Sequence, residues 1–269
     1  MSVTQWSERT PLCATFTSKA CITGRISAGG HWREAAPSDG KRPPMGHPQR
    51  LPSASASGFA GTITAALEAL RNSFAVVYPT ETLYALGVRA FDQSALELLV
   101  RLKVRAPGKP VSVLVANTEM LDRLVEEVSP AAERLMERFW PGPLTLALPA
   151  RRDVPEILTG GRGSIGVRVS SHPVANGLVA LLNEPLTAPS ANPAGARPPS
   201  TVAAAQEYFG DAVAYYVDWG PTAGEPASTV LEVVGDSLRL IREGTIPAAA
   251  IQAVSGLPVI PLQPNESNP

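Results

Sequence analysis

Four short loops carry most of the polar residues that can do chemistry, and each adjoins a stretch that reads as a buried strand or a helix end, where a rigid scaffold holds functional side chains. In Pro79-Thr80-Glu81-Thr82-Leu83-Tyr84, two hydroxyls and a carboxylate stand together. The plain alternative for this loop is a turn in which Thr80 or Thr82 caps the next segment. Lys103-Val104-Arg105-Ala106-Pro107-Gly108-Lys109-Pro110 brings three cations together just past a helical pattern, and a triphosphate needs such fixed positive groups. The helix macrodipole accounts for Lys103 but less well for Arg105 and Lys109, which lie in a stretch stiffened by Pro and Gly. In Ala188-Pro189-Ser190-Ala191-Asn192-Pro193-Ala194-Gly195, Ser190 and Asn192 offer side-chain donors at i and i+2 among small residues that let a ligand approach the backbone. Gly224-Glu225-Pro226-Ala227-Ser228-Thr229-Val230 delivers Ser228 into the start of a strand, with Arg242 and Gly244 at the end of the next.

Several common chemistries have no place in this inventory. His172 is the only histidine after residue 58, and no Gly-x-Ser-x-Gly surrounds any serine, so a hydrolase triad is not supported. The chain has no Gly-x-x-x-x-Gly-Lys-Ser/Thr and no Gly-x-Gly-x-x-Gly opening a helix after a strand, so any nucleotide is held without a P-loop or a Rossmann turn. The two cysteines, Cys13 and Cys21, both precede residue 59, which removes disulfide scaffolds, cysteine-ligated zinc and cysteine nucleophiles from the remainder. With 269 residues, 44% hydrophobic, and 23 Lys+Arg against 24 Asp+Glu, the chain can bury a core and carries almost no net charge. Its apolar runs fall far short of the roughly 18 to 20 residues that cross a bilayer.

Residues 1–58 hold six Pro, six Gly, seven Lys+Arg and three Asp+Glu, with no persistent periodicity, and read as a disordered extension. Glu8, Glu34 and Asp39 are scattered through it and no signal-type apolar core or Arg-rich amphipathic helix is present, so a targeting peptide is not supported and a cytoplasmic protein is expected. Met45 is a later candidate start. The folded part is expected over 59–256, with 257–269 a flexible tail containing Pro258, Pro261, Pro264 and Pro269. Helices are predicted at 62–71, 92–103, 118–127, 130–139, 173–182, 200–209 and 247–254 from apolar stripes and capping residues such as Asp92. Strands are predicted at 74–78, 111–116, 144–148, 165–169, 186–188, 213–217, 229–234 and 238–242. The class is mixed α and β.

Taken in order, Pro79-Thr80-Glu81-Thr82-Leu83-Tyr84, Lys103-x-Arg105 with Lys109-Pro110, Trp140-Pro141-Gly142-Pro143-Leu144-Thr145, Val167-Arg168-Val169 with His172-Pro173, Ser190-Ala191-Asn192, and Ser228-Thr229-Val230 resemble the motifs of the YrdC-like threonylcarbamoyl-AMP synthases. The resemblance runs from about Gly61 to Val254. It implies an α/β fold, a twisted mixed parallel and antiparallel sheet flanked by helices, with a basic concave cleft. It also implies a reaction in which L-threonine, bicarbonate and ATP give threonylcarbamoyl-AMP and pyrophosphate, for the threonylcarbamoyl modification of adenosine 37 in tRNA. By the same resemblance Thr82, Thr80, Arg168 and Ser228 bind threonine, and Lys103, Arg105, Lys109, Ser164, Ser190, Asn192 and Arg242 bind ATP. No side-chain nucleophile is required. Mg2+ is expected to arrive with ATP rather than in a protein cage, and the partners implied are tRNA and a threonylcarbamoyl-transferring protein complex, with no membrane.

The sequence departs from the family's pattern at three places. Ala85 stands in Tyr84-Ala85-Leu86-Gly87 where glycine is usual, Ala106 where proline commonly follows the Lys-x-Arg arginine, and Leu114 where some members carry a histidine near the threonine. Ala85 tests whether that backbone needs a positive φ. The distance from Val254 to the end suggests the single-domain form. A non-catalytic RNA-binding module using the same basic cleft is the alternative from another class; the acidic balance after residue 58, 16 Lys+Arg against 21 Asp+Glu, argues mildly against it. A carbamoyl-transferring relative of the hydrogenase-maturation type is disfavoured because the zinc-finger and acylphosphatase modules it would bring have no room here.

Overall fold

The strand Leu144–Pro149 (β4) lies at the middle of a seven-stranded sheet, and its first five residues are buried. That burial on both faces explains a run of apolar residues with little alternation. The computed structural model describes residues 56–104 and 108–261; Arg105 and Ala106, and residues 1–55 of the extension expected over 1–58, with Cys13, Cys21 and Met45, lie outside the described residues, while the first helix opens at Ala56, within that expected extension.

In chain order the remaining elements are α1 (Ala56–Arg71), β1 (Val76–Pro79), β2 (Tyr84–Gly87), α2 (Gln93–Lys103), β3 (Val113–Leu114), α3 (Thr118–Asp122) and α4 (Pro130–Phe139) before β4, then α5 (Glu156–Thr159), β5 (Ser164–Arg168), α6 (Pro173–Leu182), β6 (Leu186–Thr187), α7 (Val202–Phe209), β7 (Tyr215–Tyr216), β8 (Thr229–Val234), β9 (Ser237–Arg242), α8 (Ala248–Ser255) and β10 (Val259–Pro261). The large sheet has the order β10-β9-β8-β4-β5-β3-β6, and a second sheet has the order β2-β1-β7. β4 runs antiparallel to β5 and parallel to β8, which sets Leu144 beside Thr229 and Leu146 opposite Val167. Thr187 joins the two sheets: its backbone N–H donates to Val88 O at 3.0 Å, its carbonyl accepts from Tyr78 Oη at 2.8 Å, and its hydroxyl accepts from Val88 N at 2.9 Å.

Local chemistry sets the helix ends. Asp92 Oδ1 accepts from Ala95 N at 3.1 Å and opens α2, Ser129 Oγ accepts from Ala132 N at 3.3 Å ahead of Pro130 in α4, and Thr201 Oγ1 accepts from Ala204 N at 3.3 Å in α7. The apolar stripe of α1, Ile63, Ala66, Leu67 and Leu70, is buried as its spacing requires.

Some boundaries differ from expectation. The helix expected to reach residue 127 stops at Asp122, because Leu124 and Val125 are both buried and Val125 bridges Ala150 at the end of β4, which a continuing helix forbids. β2, inside the motif after Tyr84, has no alternation because all four residues are buried. The expected tail from 257 begins with β10, which pairs parallel with β9; as an edge strand it accepts Pro261 at its end. Ala85 lies in β2 opposite Tyr78 without a positive φ. Gly87 is where glycine is needed, since a Cβ there falls 2.6 Å from Tyr78 Cε1. Among the described residues no helix is long and apolar enough to cross a membrane.

Candidate functional site

The hairpin between β1 and β2 is closed by Thr80. Its hydroxyl donates to Leu83 O at 2.6 Å and accepts from Leu83 N at 3.2 Å, so the turn reading holds for Thr80, whose side chain shapes the loop. Thr82 Oγ1 lies 3.3 Å from that hydroxyl, and both threonines are buried. Gly224 N donates to Thr82 O at 2.7 Å, which fastens the segment leading to Ser228 onto the hairpin.

Glu81 reaches from this hairpin to the end of β5. Arg168, buried there, sets Nη1 3.4 Å from Glu81 Oε1, and Ser170 Oγ donates to Glu81 Oε2. Leu114, at the position where the resemblance offers a histidine in some members, is the β3 register partner of Arg168. On the other flank Ser228 is buried with its hydroxyl 3.1 Å from Thr145 Oγ1, and Arg242 donates through Nη2 to Ser228 O at 2.8 Å and to Ser228 Oγ at 3.2 Å. Burial first, and the Arg168 charge second, lower the Arg242 pKa. Arg168 is buried whereas Arg242 is exposed at the end of β9, and two like charges that feel each other there favour an anion between them.

Thr229 fixes the backbone behind Ser228. Fully buried, its hydroxyl donates to Ile246 O at 2.6 Å and accepts from Gly244 N and Ile246 N, each at 3.0 Å. A Cβ on Gly244 would fall 2.1 Å from Ala227 O and 2.6 Å from Ser228 C. Gly244→Ala therefore displaces the Ser228 segment, with an expected loss of about 2–3 kcal/mol from overpacking and a fall in melting temperature of about 4–12 °C. Thermal unfolding checks this; an unchanged midpoint would show that the segment moves freely.

A second group of residues meets at the end of α2. Lys103 is buried, and its Nζ donates to Ser190 O and to Asn192 O, each at 2.6 Å. Asn192 Nδ2 donates to Pro193 O at 3.0 Å and to Ala196 O at 2.7 Å, which leaves its buried Oδ1 without a hydrogen-bond partner. The Ser-Ala-Asn loop adjoins the hairpin through the Ala85–Ser190 bridge and the bond from Ala191 N to Tyr84 O at 2.8 Å. Val104, which closes α2 at φ 47°, is a β-branched residue in the left-handed region, so the backbone is strained where the cation-rich loop begins.

Lys109 is exposed. Its neighbours Gly108 and Pro110 press on Gly160, where a Cβ would meet Gly108 O at 2.7 Å. Ser164 pairs with Pro149 at the opposite end of β5 from Arg168, about 13 Å away at the rise of a strand. The structure thus gathers Thr80, Thr82, Arg168, Ser228 and Arg242 on one side and Lys103, Ser190 and Asn192 on the other, with Lys109 and Ser164 further out. Sequence reasoning assigned no role to Glu81, Ser170, Thr145 or Thr229. Glu81 was legible as a carboxylate between two hydroxyls, whereas the other three are ordinary strand or loop residues until the sheet brings them in.

His172 caps α6, its Nδ1 accepting from Val174 N at 3.2 Å, and meets Trp219 edge to face at 6.1 Å between centroids. Burial lowers its pKa, with Glu81 opposing. A folded pKa below the unfolded value means the unfolded chain binds the proton more readily, so the stability contribution is intact above about pH 6.5 and declines as pH falls below it. His172→Asn retains a capping acceptor, and its melting temperature falls less than that of the wild type between pH 7 and 5. Parallel melting curves for the two proteins over that range would remove His172 from the acid response.

The fold is a mixed α/β one in which hydroxyls and cations converge from separate loops, without a glycine-rich phosphate loop. The chain belongs to the Sua5/YciO/YrdC family: residues 68–244 match the family model described as "Telomere recombination". It is 36% identical over 187 residues to a threonylcarbamoyl-AMP synthase of Pyrococcus abyssi, covering 70% of this chain and 55% of that protein. It is 34% identical over 197 residues to a putative threonylcarbamoyl-AMP synthase of Mycobacterium tuberculosis, covering 72% and 89%. The chain therefore spans about half of the archaeal relative and most of the mycobacterial one. Among solved structures, P. abyssi Sua5 complexed with L-threonine is similar at 36% identity and TM-score 0.70, over 73% of this chain and 58% of that one. E. coli YciO is similar at 28% identity and TM-score 0.64, over 70% and 92%.

Proposed function

We propose that this chain makes threonylcarbamoyl-AMP and pyrophosphate from L-threonine, bicarbonate and ATP. The observation that carries the reading is the group built on Arg168, Ser228, Thr82 and Arg242 in a chain similar to a Sua5 that is complexed with L-threonine. In this reading Arg168 pairs with the amino acid's carboxylate, Ser228 and Thr82 hold its remaining polar atoms, and Thr80 sets the shape of the hairpin. Lys103, Ser190 and Asn192, with Arg105, Lys109 and Ser164, form the ATP side of a basic cleft, and Arg242, held beside Ser228, reaches the phosphates from the threonine side.

The chemistry asks little of the protein beyond placement and charge. Threonine's free amine and bicarbonate give the carbamate and water; a carbamate oxygen then bonds to the α-phosphorus while the bond to the bridging oxygen of pyrophosphate breaks. Fixed cations in a partly dry site stabilise the charge that develops on the phosphates. Among the described residues no three His, Cys, Asp or Glu side chains gather as a metal site, and in this reading Mg2+ enters on the phosphates of ATP. The product would pass in the cytoplasm to a protein complex that transfers the threonylcarbamoyl group to adenosine 37 of tRNA.

The test is pyrophosphate release by the purified chain with Mg2+, from ATP with and without L-threonine and bicarbonate, and with L-serine as comparison. Release that requires all three substrates is expected. No release from folded protein would overturn the synthase reading and shift the weight to RNA binding, to be followed by a salt titration.

A further inference from the structure

We propose that Glu81 is the residue that receives the amino group of the amino-acid substrate. The inference rests on the threonine reading of the Arg168 site and adds a contact to it. Glu81 Oε1 is buried and has no hydrogen-bond partner, although Arg168 Nη1 stands 3.4 Å away. That separation gives charge pairing without an aligned N–H. The other oxygen, Oε2, accepts from Ser170 Oγ. The carboxylate is thus anchored by one oxygen while the other, at the same guanidinium that would hold a substrate carboxylate, is left wanting a donor. A buried acceptor without a donor is costly, and at a binding site a ligand group is the natural supplier.

An α-amino acid carries its ammonium one carbon from its carboxylate. With the carboxylate on Arg168, the nitrogen comes within reach of an acceptor that also borders Arg168. The neighbouring groups make poorer acceptors. His172 Nδ1 already accepts from Val174 N, the Thr80 hydroxyl is engaged with Leu83, and the Ser170 hydroxyl donates to Glu81 itself. The nitrogen keeps at least one hydrogen as ammonium, as amine and as carbamate, so a single acceptor can hold it throughout. Glu81 would fix the direction in which the new carbamate points, and would select for ligands with an N–H at that position.

The test compares binding of L-threonine and of (R)-3-hydroxybutanoate, which lacks only the amino group, by titration calorimetry. Wild type, Glu81→Ala and Glu81→Gln are measured, with ATP binding and thermal unfolding as fold controls. Wild type should prefer L-threonine by roughly 10- to 100-fold, the value of a hydrogen bond to a charged group, and both variants should reduce that preference to within about threefold. If both ligands weaken equally and the ratio persists, Glu81 acts only by steadying Arg168 and the proposal falls. Wild type that binds ATP but neither carboxylate would overturn the threonine reading itself. Glu81→Gln keeps the side chain's shape and an oxygen for Ser170, so it carries the test should the alanine variant fail to fold.

Discussion

Arg168→Ala is expected to abolish threonine-dependent pyrophosphate release and to lower the melting temperature by about 6–20 °C. Arg168 is buried at the end of β5 with Glu81 as its charged partner, and removing one member strands the other. Breaking a buried pair in this way costs about 3–5 kcal/mol, and each kcal/mol moves the midpoint of a chain this size by about 2–4 °C. The functional loss has a different origin, the missing partner for the substrate carboxylate, and is expected to reach at least about 100-fold in kcat/KM for threonine. The two can be separated. Arg168→Met combined with Glu81→Leu replaces the pair by apolar side chains of similar volume, which is often neutral for stability, so it should recover most of the melting temperature and none of the turnover. A double variant as unstable as the single one would show that the pair does more than neutralise itself; near-normal kcat/KM in Arg168→Ala would remove Arg168 from the site.

The second large effect is at Lys103. Lys103→Met keeps the length of the side chain and removes the ammonium that donates to Ser190 O and Asn192 O. Ser190 O retains the bond from Asn192 N at 2.9 Å, and the backbone bond from Ala194 N to Lys103 O at 2.7 Å is also untouched, so the loop loosens without detaching. The expected cost is about 2–3 kcal/mol for charge-assisted bonds made in a buried place. The KM for ATP should rise by at least about 30-fold, because the Ser-Ala-Asn loop loses both its fastening and its positive charge. Lys103→Arg should not rescue it, since a planar fork does not fit where a compact ammonium meets two carbonyls. Steady-state kinetics in ATP at saturating threonine decide the matter; an unchanged KM would make Lys103 a purely structural cation.

Much of this architecture was readable from residue patterns, and the reasons differ from place to place. Helices with a capping residue and an apolar stripe announced themselves. Ser129-Pro130 opens α4, His172-Pro173 opens α6, and their spans, 130–139 and 173–182, fall where periodicity put them. Strands buried on both faces were harder, because without alternation a short apolar run has no preferred period. β2 is missing from the strands that periodicity predicts for that reason. β10 was read as tail because Pro258 and Pro261 are poor strand formers except at an edge, and being an edge is a property of the sheet. The site followed the same division. Hydroxyls and cations concentrated in loops could be picked out by type, but pairings such as Thr145 with Ser228 or Glu81 with Ser170 join residues more than 80 positions apart and exist only once the strands are in register. The function of Lys103 was half visible: its charge could be read from sequence, its two carbonyl partners could not.

The strand order has a consequence for how the protein acquires its site. Val76 pairs with Tyr215, and β4 takes β8 as its parallel neighbour although β5 to β7 lie between them in the chain. These are long loop closures, whose entropy must be met before any contact across them rewards it. Arg168 meets a residue of the first hairpin, and Ser228 meets one from β4. No hairpin or helix pair can therefore assemble these contacts alone. The substrate contacts proposed for Arg168 and Ser228 belong to the finished topology: they form only once the distant strands are paired, and go as soon as that pairing opens.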